Sequence, residues 1–142
     1  MILQLFSYPK NMKKDIIIPE VKGIEIAIVK EENPIDNSMD WNVYLINKKD
    51  TPIEMVIIVS QGFSEEKTTS VFRRKIDKLE ANSFEMFEKM QPELFDLDNR
   101  FQVSFFEGNQ MHEKTFIFQA TTIQEGFFRD IDILGKKGVV CK

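Results

Sequence analysis

With 19 Lys+Arg against 23 Asp+Glu and a formal net charge of −4 when its one histidine is neutral, this 142-residue chain is mildly acidic, which argues against a general nucleic-acid binder. Hydrophobic residues at 42% and charged residues at 30% can fill a core and clothe it, which excludes a disordered chain. A folded chain of this size buries roughly 70% of its unfolded surface, so one domain that needs neither metal nor disulfide is expected.

The first apolar run, Met1 to Phe6, lacks a basic flank and is only six residues long, too short for a signal segment. No run approaches the roughly 18–20 apolar residues of a membrane-spanning helix. Cys141 is the single cysteine, so no intrachain disulfide forms, a usage that suits a reducing interior. The expectation is a cytoplasmic protein without membrane association. Residues 1–11 read either as an N-terminal arm, with Leu3, Leu5 and Phe6 tucked into a groove, or as a misassigned start ahead of Met12. Residues 12–142 then form one domain.

From Ile16 onward, short apolar runs alternate with turn chemistry. Ile24, Ile26 and Ile28 recur at every second position, the period of a strand. Pro34, Asp36, Asn37 and Ser38 make a turn. Trp41–Ile46 follows, with both faces partly apolar as in a central strand. Beyond the hydrophilic turn Asn47–Pro52 lies the apolar run Ile53–Val59, and these two strands are expected to pair as a hairpin. Thr68–Leu79 reads as a strand on its β-branched residues. Ser83–Met90 fits two patterns: Asn82 and Glu85 suit a helix cap, while Phe84 and Met86 alternate. Leu94–Phe101 resembles a crossing from one sheet to another, although no tyrosine is present to make a tyrosine corner. Phe101–Phe105 and Phe116–Phe118, joined by the turn Glu107–Gln110, form a second hairpin. Phe127–Leu134 is a last strand, stopped by Gly135 and Gly138. About seven to eight strands without a long helix predict an all-β, antiparallel, immunoglobulin-like β-sandwich.

Most site chemistries have no residues to carry them. His112 is the single histidine and falls in a predicted turn, and Cys141 lies at a chain end, so neither suits a nucleophilic pair. One histidine and one cysteine cannot build a zinc site. Asp96, Asp98 and Asn99 lack the glycine and the distal glutamate of an EF-hand loop and read as solvated turn residues. The six glycines are scattered and make no phosphate-binding loop. No cofactor is expected. Two surface features remain. Arg73, Arg74 and Lys75 form a basic cluster beside Phe72, with Arg74 on the opposite strand face from the other two. Among the 13 phenylalanines, Phe106 and Phe128 would form an apolar patch suited to a partner if both faced outward on neighbouring strands.

The stretches Trp41–Asn47, Ala81–Phe84, Phe101–Phe105 and Gly135–Val139 carry a resemblance that covers Met12 to Lys142. The chain resembles a family of short bacterial proteins, of about 130–140 residues, whose members often bear the label phenylalanyl-tRNA synthetase alpha subunit. In similar sequences the segment after Asn82-Ser83 is extended, which favours a strand over Ser83–Met90. A class II synthetase core needs a motif-two arginine and a glycine-rich motif three ending in arginine. Neither is found here, so the resemblance implies no active-site residue. The leading expectation is a non-catalytic protein-interaction module with an unidentified protein partner, acting through a sheet edge or the Phe106/Phe128 patch. The alternative is an RNA-associated protein linked to tRNA aminoacylation, bound through Arg73, Arg74 and Lys75; an enzyme using carboxylates comes third.

Overall fold

In the structure, a computed structural model that describes residues 20–142, alternation becomes pleat. The expectations for residues 1–11 and for Met12 as the start lie outside the described residues. Strand β1 (Ile24–Glu32) points Ile24, Ile26 and Ile28 into the main core, and β2 (Met39–Asn47) adds Val43 and Leu45 beside them. The other strands are β3 (Ile53–Phe63), β4 (Phe72–Leu79), β5 (Ser83–Met90), β6 (Asp98–Glu107), β7 (Gln110–Phe118), β8 (Arg129–Ile131) and β9 (Lys136–Cys141). They form two antiparallel sheets, ordered β5-β2-β1-β9-β8 and β4-β3-β6-β7, with the core between them. Phe101, Phe105, Phe116 and Ile58 of the four-stranded sheet meet Ile26, Ile28 and Leu45 of the five-stranded one. Each such fully buried side chain contributes about 1.5–3 kcal/mol.

The all-β antiparallel sandwich is therefore present, and Ser83–Met90 is a strand. The hairpin expected between β2 and β3 is not. β2 pairs with β1 and β5, whereas β3 pairs with β4 and β6, so the turn between β2 and β3 carries the chain across to the second sheet. Asn47, fully buried, builds that crossing. Its Nδ2 donates to the carbonyls of Thr51 (3.0 Å), Leu79 (3.3 Å) and Glu80 (3.0 Å), while its Oδ1 accepts from the Lys49 N–H (3.0 Å). One side chain thus fixes both crossing turns at that end of the sandwich. A short 3-10 turn over Pro92–Asp96 crosses from β5 to β6, as the sequence suggests, and β6 and β7 form the expected hairpin around Gly108.

Among the described residues nine strands replace the expected seven to eight, and Arg129–Cys141 accounts for the difference. Only Arg129–Ile131 of the predicted Phe127–Leu134 strand is extended; the chain then turns at Gly135 (φ 65°) and returns as β9. Gly138 does not stop a strand but permits one. A Cβ there would lie 2.5 Å from the Ile28 carbonyl oxygen on β1, so only glycine lets the two backbones approach this closely. The returning segment also covers the outer face of the five-stranded sheet, where Ala27, Val29, Ile46 and Ile131 form a second apolar cluster with Ile133 and Leu134. β1 is consequently buried on both faces. Strand β4 is shorter than the predicted Thr68–Leu79, starting at Phe72, and Thr68 makes only an isolated bridge to Phe63.

Two β-bulges complete the frame. Glu54 pairs with Phe106 and Ile57 with Ser104, so β3 holds one more residue than β6 over this interval. The surplus, with Met55 at φ 51°, leaves Glu54 and Met55 exposed while Ile53 and Val56 both stay in the core. In β5 the register moves from Glu88 opposite Val43 to Met86 opposite Tyr44, and the surplus residue Phe87 is buried against Phe101, with ring centroids 5.9 Å apart.

Candidate interaction edge

A β-sandwich leaves four sheet edges, here β4 and β7 on one sheet and β5 and β8 on the other. An edge accepts an added strand only where its N–H and C=O groups remain free over several residues. β8 is three residues long. Beside β7, the Lys114 ammonium donates to the Val21 carbonyl (3.2 Å) and holds the segment before β1 there. The bulged carbonyl of Phe87 on β5 accepts from Nε of Arg74 (3.1 Å), which crosses from the opposite sheet. β4 is eight residues long and paired among the described residues with β3 alone; its Arg73 carbonyl accepts from Nη1 of Arg74 (3.3 Å) and its Leu79 carbonyl from Nδ2 of Asn47 (3.3 Å).

The residues of β4 divide by face. Ile76 and Leu79 are buried and anchor the strand, while Phe72, Arg73, Arg74, Lys75, Asp77 and Lys78 are exposed. Arg73 lies opposite Val59 and Lys75 opposite Ile57, on the outer face of the sheet. Arg74 is opposite the core residue Ile58, so its guanidinium turns to the mouth of the sandwich, 5.6 Å from the Phe72 ring centroid. Lys75 has only a loose ion pair with exposed Asp77 (3.7 Å), an arrangement worth little in water. The strand carries four cations against one acid in a chain of net charge −4. The three basic residues singled out from sequence therefore lie together on one edge strand, with Arg74 separated from the other two by the pleat as expected.

Beneath Arg74 lies a part-buried polar pair that the sequence does not announce. The Ser60 hydroxyl on β3 donates to the Glu88 carboxylate on β5 (2.7 Å), at the wall of a cavity of about 40 Å³. Burial raises the Glu88 carboxyl above its ordinary 4.5, against the opposing pull of the Ser60 hydroxyl and the Arg74 charge. A carboxyl raised on folding stabilises the fold fully below its unfolded value, and that contribution is lost as pH rises through the folded value. Glu88→Gln accordingly melts above the parent protein at pH 7, and the gap closes as the buffer is taken towards pH 4. Melting curves across that range check this, and a gap that widened on acidification would contradict it.

The other sequence candidates fall elsewhere. Phe106 and Phe128 are not on neighbouring strands. Phe106 is on β6, opposite Met111 of β7 and Glu54 of β3, half-buried on the outer face. Phe128 lies just before β8 and packs edge-on against Trp41 on β2 of the same five-stranded sheet, with centroids 5.9 Å apart. It packs against the core, sharing the Trp41 ring with Phe95. Phe106 instead shares its corner with exposed Met111 and the bulged Met55. His112 is in β7, not a turn, and stacks on Phe105 at 5.3 Å with a distant Glu107 carboxylate at 3.8 Å. Cys141 is half-buried in β9 rather than on a loose end. Asp98 accepts from the Ala120 N–H (2.7 Å), and buried Asn99 donates to the Leu94 and Leu97 carbonyls, so both brace the crossing into β6.

A larger groove, about 740 Å³, runs over the outer face of the five-stranded sheet beside β8. Its one buried charge, Glu25, is already paired with Lys48 (3.3 Å), and its remaining charges, Arg129, Asp130, Asp132 and Lys142, balance. No helix among the described residues is long and apolar enough to cross a membrane. Comparison of the chain with family models, curated proteins and solved structures gave no match.

Proposed function

We propose that this protein is a non-catalytic interaction module that binds a protein partner by adding a strand to the free edge of β4. The observation that supports this reading is the charge of the β4 edge: eight residues, paired among the described residues with β3 alone, carry four cations against one acid in a chain of negative net charge. Strand addition draws affinity from backbone hydrogen bonds and specificity from alternate side chains.

The immunoglobulin-like assignment belongs to the same proposal. It draws support from β2 and β5 pairing in one sheet while β3 and β6, the strands that follow each of them, pair in the other. The cytoplasmic location rests on the single cysteine, and the kinship with the synthetase-labelled bacterial family on the strand and turn stretches quoted above. The RNA reading has the exposed Arg73 and Lys75 in its favour. Against it, Arg74 is committed to the Phe87 carbonyl and the net charge of the chain is negative.

The test is affinity capture from a native-host lysate with the parent chain and with a variant carrying proline at β4 positions whose N–H points away from β3. A stoichiometric protein that survives nuclease and is lost with the proline variant, at unchanged melting temperature, is the expected result. Retention of that protein by the proline variant sinks the edge mode.

A further inference from the structure

We infer that the strand added to β4 is acidic at alternate positions, with an apolar residue following the acidic pair. This deepens the proposed function and rests on it. Arg73 and Lys75 share the outer face, two residues apart, and a strand repeats its side-chain direction at about 6.6–6.8 Å. Two carboxylates at alternate positions of an incoming antiparallel strand meet both cations directly. Two residues before Arg73, just outside the paired strand, Val71 is 56% exposed next to the half-exposed Phe72, so an aliphatic side chain two residues later covers an apolar end. Running antiparallel to β4, the partner reads acid, any residue, acid, any residue, aliphatic from its N-terminus.

The same charges say which partner is refused. A second copy of the chain pairing through β4 would place four cations and one acid against the same set, and like charges directly opposite one another are destabilising. Basic edge strands protect sheets from their own copies in this way. The protection is selective, because it becomes attraction for a strand of opposite sign.

The probe is a fluorescein-labelled hexapeptide alternating threonine with glutamate, glutamate and leucine in that order, titrated against the full chain by fluorescence anisotropy. Three comparisons accompany it: the same peptide with lysine for glutamate, the same peptide with alternate backbone nitrogens methylated, and a single-stranded RNA decamer. Saturable binding of the acidic peptide is expected, weakened about tenfold by Arg73→Glu with Lys75→Glu, since two cross-strand ion pairs become repulsions. The methylated and lysine peptides are expected not to bind. Both substituted residues are exposed, and an unchanged melting temperature confirms that the variant is folded. Equal binding of the lysine peptide, with the methylated one excluded, overturns the acidic partner and leaves the edge reading standing. Equal binding of the methylated acidic peptide shows charge attraction without strand addition and overturns both. Failure of the acidic peptide to bind overturns the inference, and RNA binding in its place assigns the basic strand to nucleic acid.

Discussion

Phe101→Ala lowers the unfolding free energy by about 3–5 kcal/mol, the range for a large aromatic deleted from a packed core. The ring is 1% exposed at the centre of the sandwich, edge-on to Phe87 of the opposite sheet and to Phe118 of its neighbour β7, each with centroids 5.9 Å apart. Its loss removes the contacts that join both sheets and leaves a space whose walls are backbone-anchored strands, so the site cannot collapse to fill it. Chemical denaturation with two spectroscopic probes measures the change. Phe101→Leu keeps most of the volume and is expected to recover more than half of the loss. A cost below about 1 kcal/mol for the alanine variant would mean that the two sheets do not meet at this ring.

Asn47→Ala is the second large effect, about 2–4 kcal/mol, and its mechanism is polar. The alanine removes the donor of the Thr51, Leu79 and Glu80 carbonyls; the Leu79 bond is buried, where an unmet group costs about 1–3 kcal/mol, while water can reach the part-buried Thr51 and Glu80 carbonyls and reduce their share. Asn47→Asp separates the roles of the two ends of the amide. The aspartate retains an acceptor for the Lys49 N–H but presents oxygen where three carbonyls need a donor, so it is expected to be at least as destabilising as alanine. Hydrogen exchange localises the damage: the turns at 48–52 and 80–82 should lose protection before the strands. Uniform loss of protection would show that Asn47 acts through the core alone.

The two effects bear on function through the position of β4. Leu79 and Ile76 hold that strand to the core, and Asn47 ties the carbonyl of Leu79, so the candidate edge is rigid at its C-terminal end. A pre-ordered edge loses less conformational freedom when a strand is added to it. Asn47→Ala is therefore expected to weaken capture through β4 as well as stability.

The strands of this protein were legible because alternation is a local property. Ile24, Ile26 and Ile28 announce a pleated face whatever surrounds them, and Gly108 marks the β6–β7 hairpin through its positive φ. The absence of clustered glycines, histidines and cysteines is local in the same sense, and so is the basic run Arg73-Arg74-Lys75. What the tertiary structure decided is which strands meet. The turn Asn47–Pro52 has the composition of a hairpin turn, yet it crosses between sheets, because Asn47 finds carbonyls more than thirty residues away that no local pattern reveals. Lys136–Cys141 was hidden by its lysines and glycine, and it is a strand because Gly138 lets it lie against the Ile28 backbone of β1. Phe106 and Phe128 look alike in sequence, and only packing sends one to an outer corner and the other beneath Trp41. The identity of the free edge is the furthest from local information. It follows from the order of the nine strands among the described residues, since an unpaired backbone group is defined by what the rest of the fold leaves beside it.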